Sequence, residues 1–347
     1  MLGYAIMLGN IPQLLNPTEN TRSTDEKRVP GEILYIPLEF WFCRNPGLAL
    51  PLIALQYHEV KLNLELSDKR DCYWSAKQNT TTGDYEYNPN VVSVPSLPSA
   101  SLYIDYIFLD TEERRRFAQV SHEYLIEQLQ FTGDESTSTR SNKVKLNLNH
   151  PVKELVWIVQ PDDHTTNEAP YGKQWFNYTD AFDVSYSPEF AYNMSSLDLA
   201  TPNEKSAGLP GIAAGGANGV FVPVSFEGGQ NPVHTAKLQL NGHDRFSERD
   251  GKYFNVVQPY QHHENVPSRG INVYSFALRP EEHQPSGSCN MSRIDNAVLN
   301  LYLTEAAVKT AAPGGGTTNR TCKLRVYGTS YNVLRIMSGM GGLAYSN

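Results

Sequence analysis

Apolar and polar positions alternate along much of the chain, and few stretches keep a helical period. Lys61, Asn63 and Glu65 interleave with Val60, Leu62, Leu64 and Leu66, so Gln56–Leu66 reads as a half-buried strand. The same period or a short continuous apolar run marks further strands at 102–109, 123–131, 143–149, 154–159 and 220–226. Five more follow at 237–240, 253–257, 271–278, 297–302 and 324–336. Thr111–Gln119 is the one convincing helix: Asp110 or Thr111 can cap it, and Glu112 and Glu113 fall in its first turn. Polar, turn-rich spans separate the strands at Ser67–Ser101, Glu135–Ser141 and Gln160–Leu209. Gly208–Gly219 reads as a flexible loop, and Met337–Asn347 as a Gly-rich surface tail. Short strands joined by long loops predict an all-β fold of the jelly-roll kind; no short repeat suggests a propeller.

Composition agrees with that pattern. The 347 residues include 20 Tyr, 13 Phe, 25 Gly and 22 Pro, residue types that suit pleated surfaces joined by turns. The net charge of -8 argues against direct nucleic-acid binding; Arg114–Arg116, just after Glu112–Glu113, reads as a solvated or ion-paired run. The longest apolar run, Gly47–Leu55, has nine residues including Pro51, so no transmembrane segment is expected. Cys43, Cys72, Cys289 and Cys322 form no CxxC pair and read as free thiols.

Chemistry-bearing motifs are sparse. A metal site on a jelly roll needs imidazoles on alternate strand positions, and no H-x-H occurs; His262-His263-Glu264 reads as a polar loop. His58-Glu59 and His122-Glu123 lack the second His of a zinc-helix motif, and structural roles are expected for them. Neither a nucleophile elbow nor a phosphate-binding loop is present. We therefore expect no catalytic, cofactor-binding or metal residues. Five N-x-S/T sequons, at Asn79, Asn177, Asn193, Asn290 and Asn319, are possible glycosylation sites, with Asn79 in its Thr-rich loop the first choice.

Four segments carry a more specific signal: PLEFWFCRNPGLALPLIALQYHEV (37–60), LDTEERRRFAQVSHEYLIEQLQ (109–130), NHPVKELVWIVQ (149–160) and SFALRPEEHQPSGSCNMSRIDNAVL (275–299). With the closing YNVLRIMSGMGGLAYSN (331–347), the chain resembles the major capsid proteins of the nucleocytoplasmic large DNA viruses, of iridovirus and phycodnavirus type. That resemblance implies two consecutive eight-stranded jelly rolls and a structural role in an icosahedral capsid. It also implies homotrimers forming pseudo-hexagonal capsomers, neighbouring capsomers and minor capsid proteins as partners, and a virion location after assembly in host cytoplasm. Within it, residues 1–119 correspond to the later part of the first roll with a junction helix, and 120–347 to the second roll. The first roll is expected to lack its opening strands, so residues 38–66 should form strands lining a core this chain cannot close alone. Tyr171, Trp175, Phe176 and Tyr178 are candidate interface anchors. The rival readings are a lectin-like carbohydrate-binding jelly roll and, more weakly, a cupin-type enzyme.

Overall fold

The computed structural model describes residues 33–68, 99–166, 173–181, 229–311 and 317–345, together with Met7 and the short strands β1 (Ala76–Gln78) and β2 (Tyr85–Tyr87). β1 and β2 pair antiparallel. The longest helix among the described residues, α1 (Thr111–Gln119), forms where the sequence places it. Asp110 caps it by accepting from Glu113 N at 2.8 Å, and Glu113 returns a carboxylate to the Asp110 N–H. That reciprocal box satisfies two backbone donors at the helix start.

Beyond α1 the described residues form two large antiparallel sheets. The first contains β3 (His122–Thr137), β5 (Pro151–Pro161), β9 (Ile271–Ser275), β10 (Cys289–Asn290), β14 (Cys322–Met337) and β15 (Met340–Leu343). The second contains β4 (Ser141–Lys145), β6 (Val233–Leu240), β7 (His243–Asp244), β8 (Arg249–Asp250) and β11 (Ala297–Leu303). In the first sheet β14 runs between β3 and β5, and β9 pairs the far side of β5. In the second, β11 lies between β4 and β6, with β7 and β8 sharing the far side of β6. Numbering the principal strands in chain order gives 1-8-3-6 in one sheet and 2-7-4-5 in the other. That interleaving, in which the chain keeps crossing between sheets, is the jelly roll.

The core lies between the sheets. Val144, Leu146 and Leu148 enter it from β4 and its continuation, Val152, Leu155, Trp157 and Val159 from β5, Leu299, Leu301 and Leu303 from β11, and Leu324 and Val326 from β14. The predicted alternation at 143–149 is therefore seen in full, although the ladder stops at Lys145. Trp157 packs at a tilt on Phe254, with ring centroids 5.1 Å apart, and Phe246 packs on Phe254 at 5.3 Å. A short helix, α3 (Glu305–Val308), is capped by Thr304 and leads into the hairpin of β12 (Lys309–Ala311) and β13 (Thr317–Asn319).

Several expected strands are not formed. Gln56–Leu66 has no ladder, and Val60, Leu62, Leu64 and Leu66 are exposed. Leu102–Leu109 likewise stays unpaired, with Tyr103 and Phe108 among its exposed side chains. Alternation selects a face only when a partner edge is present, and neither segment has one among the described residues. Residues 38–55 form tight turns rather than strands, at Trp41–Cys43 and Pro46–Leu48. Pro46 and Pro51 cannot donate to a ladder, and the Asn45 side chain caps the second turn through Gly47 N. Tyr253–Val257 is a π-helical turn running into α2 (Gln258–His262), because YFNVV lacks a period of two and buries Phe254 and Asn255.

Within the span read as a tail, Met340–Leu343 instead pairs back on β14 as a hairpin. Ser338 (φ 52°) and Gly339 (φ 83°) lie between the paired Met337 and Met340, which is the left-handed two-residue turn that suits strand twist. The strand β3 also runs through Glu135 to Thr137, shortening the expected loop to three residues. The predicted strand at 220–226 and the loop at 208–219 lie outside the described residues. Leu299, 1% exposed at the centre of the sandwich, gives a direct test of the core. Leu299→Ala should lower unfolding free energy by about 2–5 kcal/mol with the denaturant dependence unchanged, read from urea titration.

Candidate functional site

The polar chemistry of the first sheet is concentrated on the face turned away from the core, and a register shift creates it. Thr329 pairs with Glu154, but the next residue, Ser330, pairs with Val152, so β5 carries an extra residue there. Val152 and Leu155 both enter the core, while Lys153 and Glu154 between them turn outward together. Without the bulge, strict alternation would send one of these two charges inward.

Both charges are partnered on that outer face. Lys153 is 1% exposed, and its Nζ lies 2.5 Å from Glu127 Oε1 on β3. The other Glu127 oxygen accepts from Arg44 at 2.8 Å, so a cation of the N-terminal segment completes the set. Glu154 accepts from His263 Nε2 at 2.9 Å and from Thr329 Oγ1 at 3.0 Å. Burial would raise the Glu154 pKa, but the hydrogen bond and charge of His263, then Lys153 and the Thr329 hydroxyl, outweigh it and hold the carboxyl below its ordinary value. Tyr331 lies beside these groups, with Lys153 Nζ 5.7 Å from its ring centroid. Burial, with Glu127 and Glu154 nearby, pushes its phenol up to about 12.

The N-terminal segment is held at the same end of the sheet. Trp41 packs against Tyr124, with centroids 6.4 Å apart. Tyr57 N donates to Gly339 O at 2.9 Å, and Gly341 N donates to His58 Nδ1 at 3.2 Å. A Cβ on Gly339 would lie 2.5 Å from the Tyr57 ring, so the β14–β15 turn needs glycine for close approach as well as for its φ. A cleft of about 220 Å³ remains beside this junction, lined by Trp41, Arg44, Leu48, Leu125, Glu127 and Glu281 among others.

A second polar hub ties the loop after β5 to the start of β14. Arg320 reaches Asp163 Oδ2 at 2.7 Å, the carbonyls of Asp180 and Ala306, and His164 Nε2 at 2.9 Å. The His164 Nδ1 faces Asn177 O at 3.3 Å. This geometry suits a neutral imidazole that accepts from the guanidinium and donates to the carbonyl. Burial, then the Arg320 charge, depress the His164 pKa to about 4. Next to this hub the Cys322 thiol donates to Ala307 O at 2.9 Å, and burial pushes its pKa up to about 12.

The residues singled out from sequence are scattered. Asn177 is partly buried, and its amide donates to Gln174 Oε1 and Ala181 O. Asn290 and Asn319 are exposed, whereas Asn79 and Asn193 lie outside the described residues. Trp175 and Phe176 are exposed, Tyr178 is half-buried, and Tyr171 is not described. Far from forming one loop, His262 ends α2 and His263 reaches the sheet. The Lys153–Glu127–Arg44 set and the Arg320 hub were both missed. The signal available was a Lys-Glu pair that breaks an otherwise apolar β5.

Comparison with known proteins decides what this roll is. Residues 113–342 match the family described as large eukaryotic DNA virus major capsid protein, and residues 10–110 match the major capsid protein N-terminus. The chain belongs to this capsid protein family. It is 48% identical to the major capsid protein of Chrysochromulina ericina virus, over 99% of this chain and 73% of that one. Against the major capsid protein of Phaeocystis pouchetii virus the identity is 53%, over 92% of this chain and 66% of the relative. Among solved structures, a quasi-atomic model of the PBCV-1 virus capsid superposes with a TM-score of 0.57 at 35% identity, covering 90% of this chain and 70% of that chain. The capsid protein fold is that of viral proteins built from consecutive jelly rolls, and its role is structural.

Three outcomes test the polar groups of this capsid protein. Glu127→Ala strands a buried lysine and should cost about 3–5 kcal/mol. Arg44→Ala removes a partner that is 56% exposed and should cost no more than about 1 kcal/mol, both by chemical denaturation. For His164, the unfolded imidazole keeps its ordinary value of 6.5 and takes up a proton that the folded one refuses until about pH 4. Its contribution is therefore intact above pH 6.5 and lost as pH falls through the interval between the two values. Unfolding free energy should drop by about 2 kcal/mol from pH 7 to pH 5 through this group alone, and His164→Gln should remove that part of the drop.

Proposed function

We propose that this capsid protein assembles as a homotrimer whose copies each contribute two jelly rolls, giving a pseudo-hexagonal capsomer that tiles an icosahedral shell. The observation that carries the reading is the sandwich built from strands β3–β15, whose core among the described residues runs from Val144 to Val326, joined to an N-terminal segment that matches the capsid N-terminal family. Six rolls around a threefold axis give a six-sided outline, and cyclic closure leaves no unsatisfied interface in the ring. The same reading divides the chain at residues 119 and 120. It has neighbouring capsomers and minor capsid proteins as partners, and assembly in host cytoplasm before incorporation in the virion.

The role is architectural rather than catalytic. Glu127 and Glu154 are each engaged by cations or donors, so neither is poised as a free base. Glycosylation, if the chain meets the machinery, falls on Asn290 and Asn319 before Asn177, whose amide is already engaged within its own loop. In light scattering coupled to size exclusion, the purified chain of 38.9 kDa should elute at about three times that mass. A monomer at micromolar concentration would overturn the trimer.

A further inference from the structure

Four consecutive residues of the N-terminal segment, Leu55 to His58, lie against the β14–β15 hairpin, and the last of them can take up a proton. A Cβ on Gly339 would meet Tyr57 at 2.5 Å and Gln56 at 3.3 Å, and one on Gly341 would meet Leu55 at 3.1 Å. Glycine at both positions is what lets the segment approach. Two hydrogen bonds, one in each direction, close the contact: Tyr57 N donates to Gly339 O at 2.9 Å, and Gly341 N donates to His58 Nδ1 at 3.2 Å. The second bond fixes the state of the ring. A backbone N–H only donates, so Nδ1 is bare and the ring proton sits on Nε2. An imidazolium is protonated on both nitrogens and has no acceptor left. Other imidazoles respond differently. His122 Nε2 faces Phe117 O at 2.9 Å and His262 Nδ1 faces Leu278 O at 2.9 Å, so each donates to a carbonyl and keeps its bond when protonated. His263 faces the Glu154 carboxylate, which a positive ring holds more firmly. His164 accepts from Arg320, but that hub is at the other end of β14.

We infer that His58 is an acid-sensitive latch: its protonation breaks the bond to Gly341 and frees residues 55–58 from the hairpin while the sandwich stays folded. The side chain is exposed, so protons reach it from solvent. Charged groups around it are few. On its own segment Glu59 and Lys61 pair with each other at 3.0 Å, and Tyr57 precedes it. The hairpin carries no titratable side chain from Met337 to Leu343. In the strands paired beside it, Arg335 is held by Glu123 at 2.8 Å, and His122 lies across Ile336 from Gly341. Imidazoles ordinarily change charge between about pH 5 and 8, so a mildly acidic compartment acts on this contact. Arg44 on Glu127 and Trp41 on Tyr124 involve no imidazole and keep the segment tethered, which confines the release to 55–58.

The experiment is hydrogen exchange on the full chain, read as protection factors for the Gly341 and Tyr57 amides so that the intrinsic pH dependence of exchange drops out. In the unsubstituted chain both should lose protection by about threefold to tenfold, the loss of one hydrogen bond, between about pH 7.5 and about pH 5.5. His58→Asn offers an amide oxygen near the Nδ1 position and cannot titrate. Whether it holds the contact or loses it, that variant should show no such fall. His164 titrates alike in both chains, so the difference belongs to residue 58. Ring nitrogen-15 spectra of the unsubstituted chain give a second measurement that needs no variant: above about pH 7.5 His58 should be bare on Nδ1 and protonated on Nε2. A neutral ring protonated on Nδ1, protection that does not change with pH, or an equal fall in His58→Asn would each overturn the latch.

Discussion

The ladder that Cys322–Met337 makes along both of its edges is the constraint on which the remaining structure depends. β3 follows one edge from Ile336 back to Cys322, and β5 follows the other from Cys322 to Ser330, after which β15 takes over. A strand hydrogen-bonded on both sides cannot slip without breaking two registers together. Its inward side chains Cys322, Leu324 and Val326 fix the core side, and its outward Arg325, Tyr327, Thr329 and Tyr331 set the polar face. The small interior residue Gly328 lets Leu148 and Leu155 close over the strand, since a Cβ there would meet Leu148 at 3.0 Å.

Register then decides where charge can sit. The extra residue in β5 arises against Thr329 and Ser330, and it turns Lys153 and Glu154 to the same side. A buried lysine is tolerable only with a carboxylate close by, and Glu127 on β3 supplies it across the central strand. Packing and electrostatics are therefore one arrangement: moving β3 by a single residue would both invert its apolar set and remove the counterion of Lys153.

The sandwich was legible wherever a local pattern coincided with a long-range partner. KVKLNLN keeps its three apolar residues in the core, and LRVYGTSYNVLRI lies within the central strand. Where the partner was wanting, the same pattern misled: KLNLEL and LYIDYIFL alternate or run apolar as strongly, yet neither pairs among the described residues. Local sequence could not show the turn at Tyr253–Val257 either, because burying Phe254 against Trp157 is a tertiary event. The polar face was harder still. Arg44, Glu127, Lys153 and His263 come from four distant stretches, and only a charged pair interrupting β5 hinted that something outside the core had to receive it.

The cysteines give this architecture an uneven chemical reactivity. Cys322 is sealed beside the Ala307 carbonyl, and burial pushes its pKa up to about 12, so near neutral pH it stays a thiol rather than the reactive thiolate. Cys43, on the tight turn of the N-terminal segment, is exposed. An alkylating reagent would thus mark the segment long before it reached Cys322, and labelling of Cys322 would report that the ladder at the start of β14 had opened. The protein carries its own clock for the order in which its layers come apart.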